Sequence, residues 1–164
     1  MVTVTNVVTD RLTLRDIIAQ DTELIVDWRS DPEIYKYFLE SHPIDKKEHL
    51  DWYWNKYIFD PDRFDYMAIR RDTGRAIGVF GIKREDSSSK EVEVSYMLSP
   101  EERRKGYASE AVIALMDYIK KEWECKSVIA KIHKDNRSSI RLVLKLGYRC
   151  VYHNEMFGTY KKEL

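Results

Sequence analysis

The sequence predicts a mixed α/β fold, an antiparallel half followed by a βαβα half, and three observations predict it. Three strand patterns lie between residues 63 and 98, the last of them alternating, separated only by short turn sequences. A glycine-bearing loop then joins the last of them to a long amphipathic helical pattern, and beyond it a strand pattern, a second helix stopped by Gly147 and two closing strand patterns follow.

Arg11 to Arg15 alternates and reads as a first strand. Asp21 to Trp28, Asp31 to Phe38 and Asp45 to Tyr57 read as short helices, because each has an acidic residue at its start and Pro32 stands at a first helical position. Arg63 to Arg71, Ala76 to Glu85 and Glu91 to Leu98 form the meander, turned at Asp72-Thr73-Gly74 and at Ser87-Ser88-Ser89. A helix is expected from Ala108 to about Glu122, a strand over Ser127 to His133, and a helix over Asn136 to Leu146. Tyr148 to Phe157 and Tyr160 to Leu164 are the last expected strands. No repeat or composition break divides the chain, so residues 1–164 are expected to form one domain.

Composition excludes several function classes. Lys+Arg and Asp+Glu both number 28, so no global charge draws the chain to nucleic acid or an anionic membrane. Cys125 and Cys150 belong to no CxxC pair, and His42 and His49 have no matching ligand set, so no metal site is expected. Met1 to Asn6 lacks a basic flank and an apolar run of signal length, and no stretch is suited to spanning a bilayer. The expected location is the cytoplasm.

The chemistry concentrates between Val92 and Met116. There a strand runs through Ser99-Pro100 into Arg103-Arg104-Lys105-Gly106-Tyr107-Ala108 and directly into a helix. A glycine at such a bend lets backbone approach a ligand closely, and the helix start behind it offers unpaired N–H groups to an anion. The expected ligand is a phosphate ester. Gly106 stands alone in its loop and Lys105 precedes it, so neither G-x-G-x-x-G nor G-K-[ST] is present.

Arg103-x-x-Gly106-x-Ala108 resembles the [QR]-x-x-G-x-[GA] cofactor loop of the GNAT superfamily of acyl-CoA-dependent N-acetyltransferases. Asn136-Arg137-Ser138-Ser139 and Leu144-Lys145-Leu146-Gly147-Tyr148 resemble that family's second element, in the same order and at a similar separation. Glu93 to Pro100 and Asn136-x-x-Ser139 are most similar to the branch of ribosomal-protein N-terminal acetyltransferases. Trp28-Arg29, Ile34 and Ile44 to Trp52 also resemble relatives that acetylate amino sugars or polyamines.

The resemblance implies a GNAT-like fold, with a central, mostly antiparallel sheet of six to seven strands, splayed at the cofactor strand and flanked by four to five helices. It implies acetyl-CoA as cofactor, its pantetheine paired with backbone of Tyr96, Met97 and Leu98 and its pyrophosphate held by the amides of Arg104, Lys105, Gly106, Tyr107, Ala108 and Ser109. Arg103, Arg104 and Lys105 would add charge, and Asn136 would contact the pantetheine or acetyl region. The reaction implied is transfer of an acetyl group to a primary amine of a small molecule or peptide, by direct attack through a tetrahedral intermediate. Neither nucleic acid nor membrane is expected as a partner, and a homodimer is left open.

An alkylamine has a pKa of about 10, so a base is needed near neutral pH. Glu93, which by period two shares a face with Glu91 and Ser95, is the first candidate, and Glu155 is the alternative. The Leu98 N–H is the expected oxyanion donor. Val143 stands where many GNAT enzymes carry a tyrosine acid, and Ser139 is the matching substitute. The acceptor region is expected in the aromatic helices before the meander, from Trp28 through Tyr35, Tyr37, Phe38, His42, His49, Trp52, Trp54 and Tyr57 to Phe59, interleaved with Asp31, Glu33, Glu40 and Asp51. A rival expectation is an acyl-CoA-binding module without turnover.

Overall fold

The computed structural model describes residues 6–164. Met1 to Thr5, most of the segment in which no leader features were read, lie outside the described residues. The strands are β1 (Val7–Val8), β2 (Leu12–Asp16), β3 (Arg63–Arg70), β4 (Ala76–Lys83), β5 (Glu91–Leu98), β6 (Ser127–His133), β7 (Arg149–His153) and β8 (Phe157–Glu163). The helices are α1 (Thr22–Arg29), α2 (Pro32–Tyr35), α3 (Lys46–Asn55), α4 (Tyr107–Glu122) and α5 (Arg137–Lys145). All eight strands join one sheet in the order β1-β2-β3-β4-β5-β6-β8-β7.

This is the mixed α/β architecture expected, with one strand more than the six or seven implied. The addition is β1, whose two residues are too few to alternate visibly. Thr9 folds it back onto β2, its N–H donating to the Leu12 carbonyl at 2.8 Å. Two element boundaries also differ. α2 ends at Tyr35, with turns rather than helix continuing to Phe38. Tyr148 to Phe157 is not one strand, because Asn154 Oδ1 accepts the N–H groups of Met156 and Phe157, each at 2.8 Å, and turns the chain between β7 and β8.

Local chemistry explains the helix starts. Asp31 accepts the Glu33 N–H and Asp45 accepts the Glu48 N–H, each capping its helix, with Pro32 following Asp31. In α4 the buried residues Tyr107, Ala111, Val112, Leu115, Met116 and Ile119 recur at helical spacing and make one apolar stripe. That stripe packs on the sheet face formed by Tyr66, Phe80, Ile82, Val92, Val94 and Val128. Leu115 and Ile119 are fully buried, each contributing about 1.5–3 kcal/mol relative to exposure. The other face carries Met67 and Val79 and is covered by Ile25, Trp28, Ile34, Tyr53 and Tyr57 from the first helices. No helix among the described residues is long and apolar enough to cross a membrane.

The site is set by one irregularity of the sheet. β5 and β6 form its one parallel pair, with α4 as the crossover that parallel pairing requires. They pair only at Glu91 with Ser127, Val92 with Val128 and Glu93 with Ile129. Beyond Glu93, β5 stays on β4 as far as Leu98, while β6 stays on β8 as far as His133. The two strands therefore splay apart from Val94 onward.

Candidate active site

The splay opens a cavity of about 670 Å³. Its walls are β5 from Val94 to Leu98, the loop and first turn of α4, β6 from Ala130 to His133, and α5; Ile34, Tyr37 and Phe38 also line it. The Ser99 N–H donates to the Ile77 carbonyl at 2.8 Å, which fixes the parity of β5 against β4. By antiparallel alternation, the backbone groups of Met97 face β4, and those of Tyr96 and Leu98 face the splay. Met97 is thus a correction to the expected pantetheine contacts. Its N–H and C=O belong to the β4 ladder, and its side chain joins the cluster under the first helices.

The basic loop is held from outside. Gly106, with φ 82°, caps α4 in the left-handed region, and Arg104 two residues earlier also has a positive φ of 63°. A left-handed arginine is unfavourable, and such conformations cluster where backbone is arranged for a ligand. Arg11 braces the bend. Its Nη1 donates to the Lys105 carbonyl at 2.9 Å, its Nε to Glu110 at 2.8 Å, and its guanidinium lies 4.3 Å from the centre of the Tyr107 ring. Burial acts to raise the Glu110 carboxyl, but hydrogen bonds from Thr9 and Arg11 outweigh it and hold the group below the usual carboxylate range.

Arg103, Arg104, Gly106, Tyr107, Ala108 and Ser109 all line the cavity. The Lys105 side chain does not. Its ammonium reaches Glu102 at 3.1 Å, and Glu102 is only 2% exposed, so this lysine anchors the loop instead of facing the cleft.

Across the cleft, Asn136 lines the cavity and caps α5 by accepting the Ser139 N–H at 3.3 Å, a bond that does not use its amide nitrogen. Ser139 Oγ lies 2.9 Å from the Tyr96 hydroxyl. Burial pushes the Tyr96 hydroxyl above its ordinary pKa, and the Ser139 bond offsets this only in part, so the phenol is protonated at neutral pH. Val143 is 3% exposed and offers no hydroxyl.

The carboxylates are less central than expected. Glu93 occupies the last paired position of β5, and its Oε2 lies 3.6 Å from Lys131 Nζ; it is outside the cavity wall, while its neighbours Ser95 and Lys131 are part of it. Glu155 sits exposed in the turn between β7 and β8, not on a strand, and is also outside the wall. Of the aromatic residues assigned to acceptor binding, Tyr37 and Phe38 line the cavity. Trp28 and Tyr57 are buried in the core instead with Trp52 packed against them, His49 is buried against Thr22, and Trp54 and Phe59 are exposed.

Several wall residues had no role assigned to them from the sequence. His133 ends β6, packed between the rings of Tyr37 and Phe157 at 5.8 and 5.3 Å. Its Nδ1 accepts the Asp135 N–H at 3.1 Å, so the neutral ring carries its hydrogen on Nε2 and acts as a donor. Asp135, Arg137, Arg141 and Lys145 also reach the wall. The signal available for these was position relative to Asn136, since the start of α5 orients every residue near it.

A chain with this geometry matches known proteins closely. The family model for the acetyltransferase (GNAT) domain covers residues 11–149. The uncharacterized N-acetyltransferase p20 of Bacillus licheniformis is 29% identical over 143 residues, spanning 86% of this chain and 80% of that relative. Among solved structures, a spermidine N-acetyltransferase from Vibrio cholerae in complex with CoA and spermine is similar with a TM-score of 0.84, at 18% identity over 94% of this chain and 96% of that one. RimL, a ribosomal L7/L12 alpha-N-protein acetyltransferase, gives 0.83 at 14% identity over 98% and 95%. Proteins with different acceptors thus share the fold almost equally, and it is the fold alone that these two likenesses establish. By the family match over most of its length, together with its N-acetyltransferase relatives, the chain belongs to the GNAT acetyltransferase family.

Proposed function

We propose that residues 1–164 act as one catalytic domain that transfers the acetyl group of acetyl-CoA to a primary amine. The observation that carries this reading is the free edge of Tyr96 and Leu98 in the splay, leading to the positive-φ loop and the start of the 16-residue α4. Such an edge suits an extended amide-bearing arm, and the helix start suits a pyrophosphate. Acetyl-CoA supplies an activated thioester, which the amine attacks directly.

The side chains then divide the work. The Leu98 N–H faces the splay with no strand opposite and donates to the developing oxyanion. Glu93 accepts the amine proton, relayed by solvent past Ser95. His133 is not that base, because its free ring nitrogen carries the hydrogen; it donates to the acceptor instead. The more acidic Tyr96 hydroxyl donates to Ser139, which leaves the Ser139 O–H free to support the departing sulfur. Tyr96 is therefore a positioning residue. Tyr96→Phe and Ser139→Ala should each lower kcat about 3- to 10-fold, the worth of one neutral hydrogen bond, and the double variant should be no worse than the poorer single one. Additive losses in steady-state kinetics would separate the two residues.

Tyr37 and Phe38, which line the cavity together with Glu33 and Asp135, favour a cationic amine. The rival reading, an acyl-CoA-binding module without turnover, draws on the apolar Val143 and on the absence of both glutamates from the wall. Release of free CoA thiol separates the two. With acetyl-CoA and a panel of an N-terminal peptide, a polyamine, an aminoglycoside and an amino-sugar nucleotide, amine-dependent thiol release is expected. Binding of acetyl-CoA with no release for any amine would favour the module.

A further inference from the structure

Many charges are paired, but among the described residues two sets of cavity-wall cations have no carboxylate partner, Arg103 with Arg104 in the loop and a row on α5. Arg137, Arg141 and Lys145 follow one another at four-residue spacing along α5, are exposed, and all reach the cavity. Among the described residues none of the three has a carboxylate within 4.0 Å, whereas Lys131 is paired with Glu93 and Lys105 with Glu102. The two acidic wall residues do not serve the row either. Glu33 is bound by Lys36 at 2.9 Å, and the Asp135 carboxylate comes within 4.0 Å of none of the three.

Helix electrostatics do not explain the arrangement. Lys145 in the last turn is favourable, but Arg137 is the first residue of α5, where the helix dipole disfavours a cation, and the first turn contains no acid. Like charges four residues apart repel in addition. Arg137 and the like-charge spacing therefore weaken the helix, and a bound anion would offset that cost.

We infer that Arg137, Arg141 and Lys145 form a phosphomonoester site, separate from the pyrophosphate loop, that receives the 3′-phosphate of coenzyme A. The inference rests on the acetyl-CoA reading above. Arg103, Arg104 and the amides that start α4 account for one anionic group on the opposite wall, and a second anion is needed to match the second set of cations. A phosphomonoester, with a second pKa of about 6, carries close to two charges at neutral pH. Arginine forks match its oxygens in pairs, and Lys145 adds a point charge at the end of the row. The consequence is discrimination for coenzyme A over its 3′-dephospho form, made by side chains on an exposed helix face.

The test is calorimetric titration of the full chain with acetyl-CoA and with acetyl-3′-dephospho-CoA. Hydrogen bonds to charged groups of this kind predict at least ~10-fold tighter binding of acetyl-CoA by the wild type. In the combined variant Arg137→Ser, Arg141→Ser, Lys145→Ser the preference should vanish, with binding of the dephospho form unchanged. Arg141→Ser alone should reduce the ratio in the same direction, which keeps the test valid if the triple variant folds poorly. Equal affinity of the wild type for the two nucleotides would overturn the inference while leaving the acetyl-CoA reading intact. An equal loss for both nucleotides in the folded variants would overturn it as well. If neither nucleotide binds the wild type, the acetyl-CoA reading fails first and the phosphate site with it.

Discussion

Gly106→Trp should weaken acetyl-CoA binding at least ~100-fold without unfolding the protein. Gly106 has φ 82°, and a Cβ placed there would meet Arg11 Nη2 at 3.3 Å. Each charge-assisted hydrogen bond to a phosphate that is lost costs about 1.5–3 kcal/mol, and the side chain would stand in the way of at least two. Together these reach the hundredfold range at 1.4 kcal/mol per decade. The indole would also occupy the approach to the amides of Tyr107 and Ala108. The fold should survive, because the residue is exposed and the α4 stripe that packs on the sheet begins only at Tyr107. Circular dichroism checks the fold and calorimetry the binding; undiminished binding in a folded variant would remove the loop from the cofactor site.

Glu93→Gln should lower kcat by about 10²- to 10⁴-fold at pH 7, the usual contribution of a positioned general base. The effect should fall on turnover and not on acetyl-CoA affinity, since Glu93 lies outside the cavity wall. With the base removed, only the fraction of amine already deprotonated in solution reacts. The rate should therefore keep rising with pH toward the amine's own pKa of about 10. The pH dependence of kcat/KM for wild type and variant measures both points. Identical profiles would move proton removal to Glu155 or to bulk solvent. The amide is nearly isosteric with the carboxylate, and the one ion pair it removes, at 3.6 Å to a half-exposed Lys131, is of a kind that contributes little to stability.

Much of the fold was legible because its signals are local. Asp31 with Pro32 and Asp45 cap helices through atoms two or three residues away, and the serine turn and Gly74 join strands that are neighbours in the chain. The α4 stripe from Tyr107 to Ile119 is written at helical spacing in a single segment. The errors have equally local causes. β1 is too short to show a period, and the split between β7 and β8 depends on which way the Asn154 side chain turns. The bend before α4 was readable because Gly106 stands between a strand pattern and a helical one.

The sequence by itself determined the family resemblance, the element order and the position of the glycine loop before α4, since each depends on residue type and spacing within a continuous stretch. Only the tertiary structure decided which groups the cleft receives. Pairing with β4 withdraws the Met97 backbone, an ion pair with Glu102 turns Lys105 away, and the splay between β5 and β6 leaves Glu93 at its closed end while bringing Tyr96 to Ser139. These outcomes were not readable in advance for one physical reason. Strand parity, ion-pair choice and the distance between diverging strands depend on partners 3 to 43 residues away, and the folded chain alone brings those partners together.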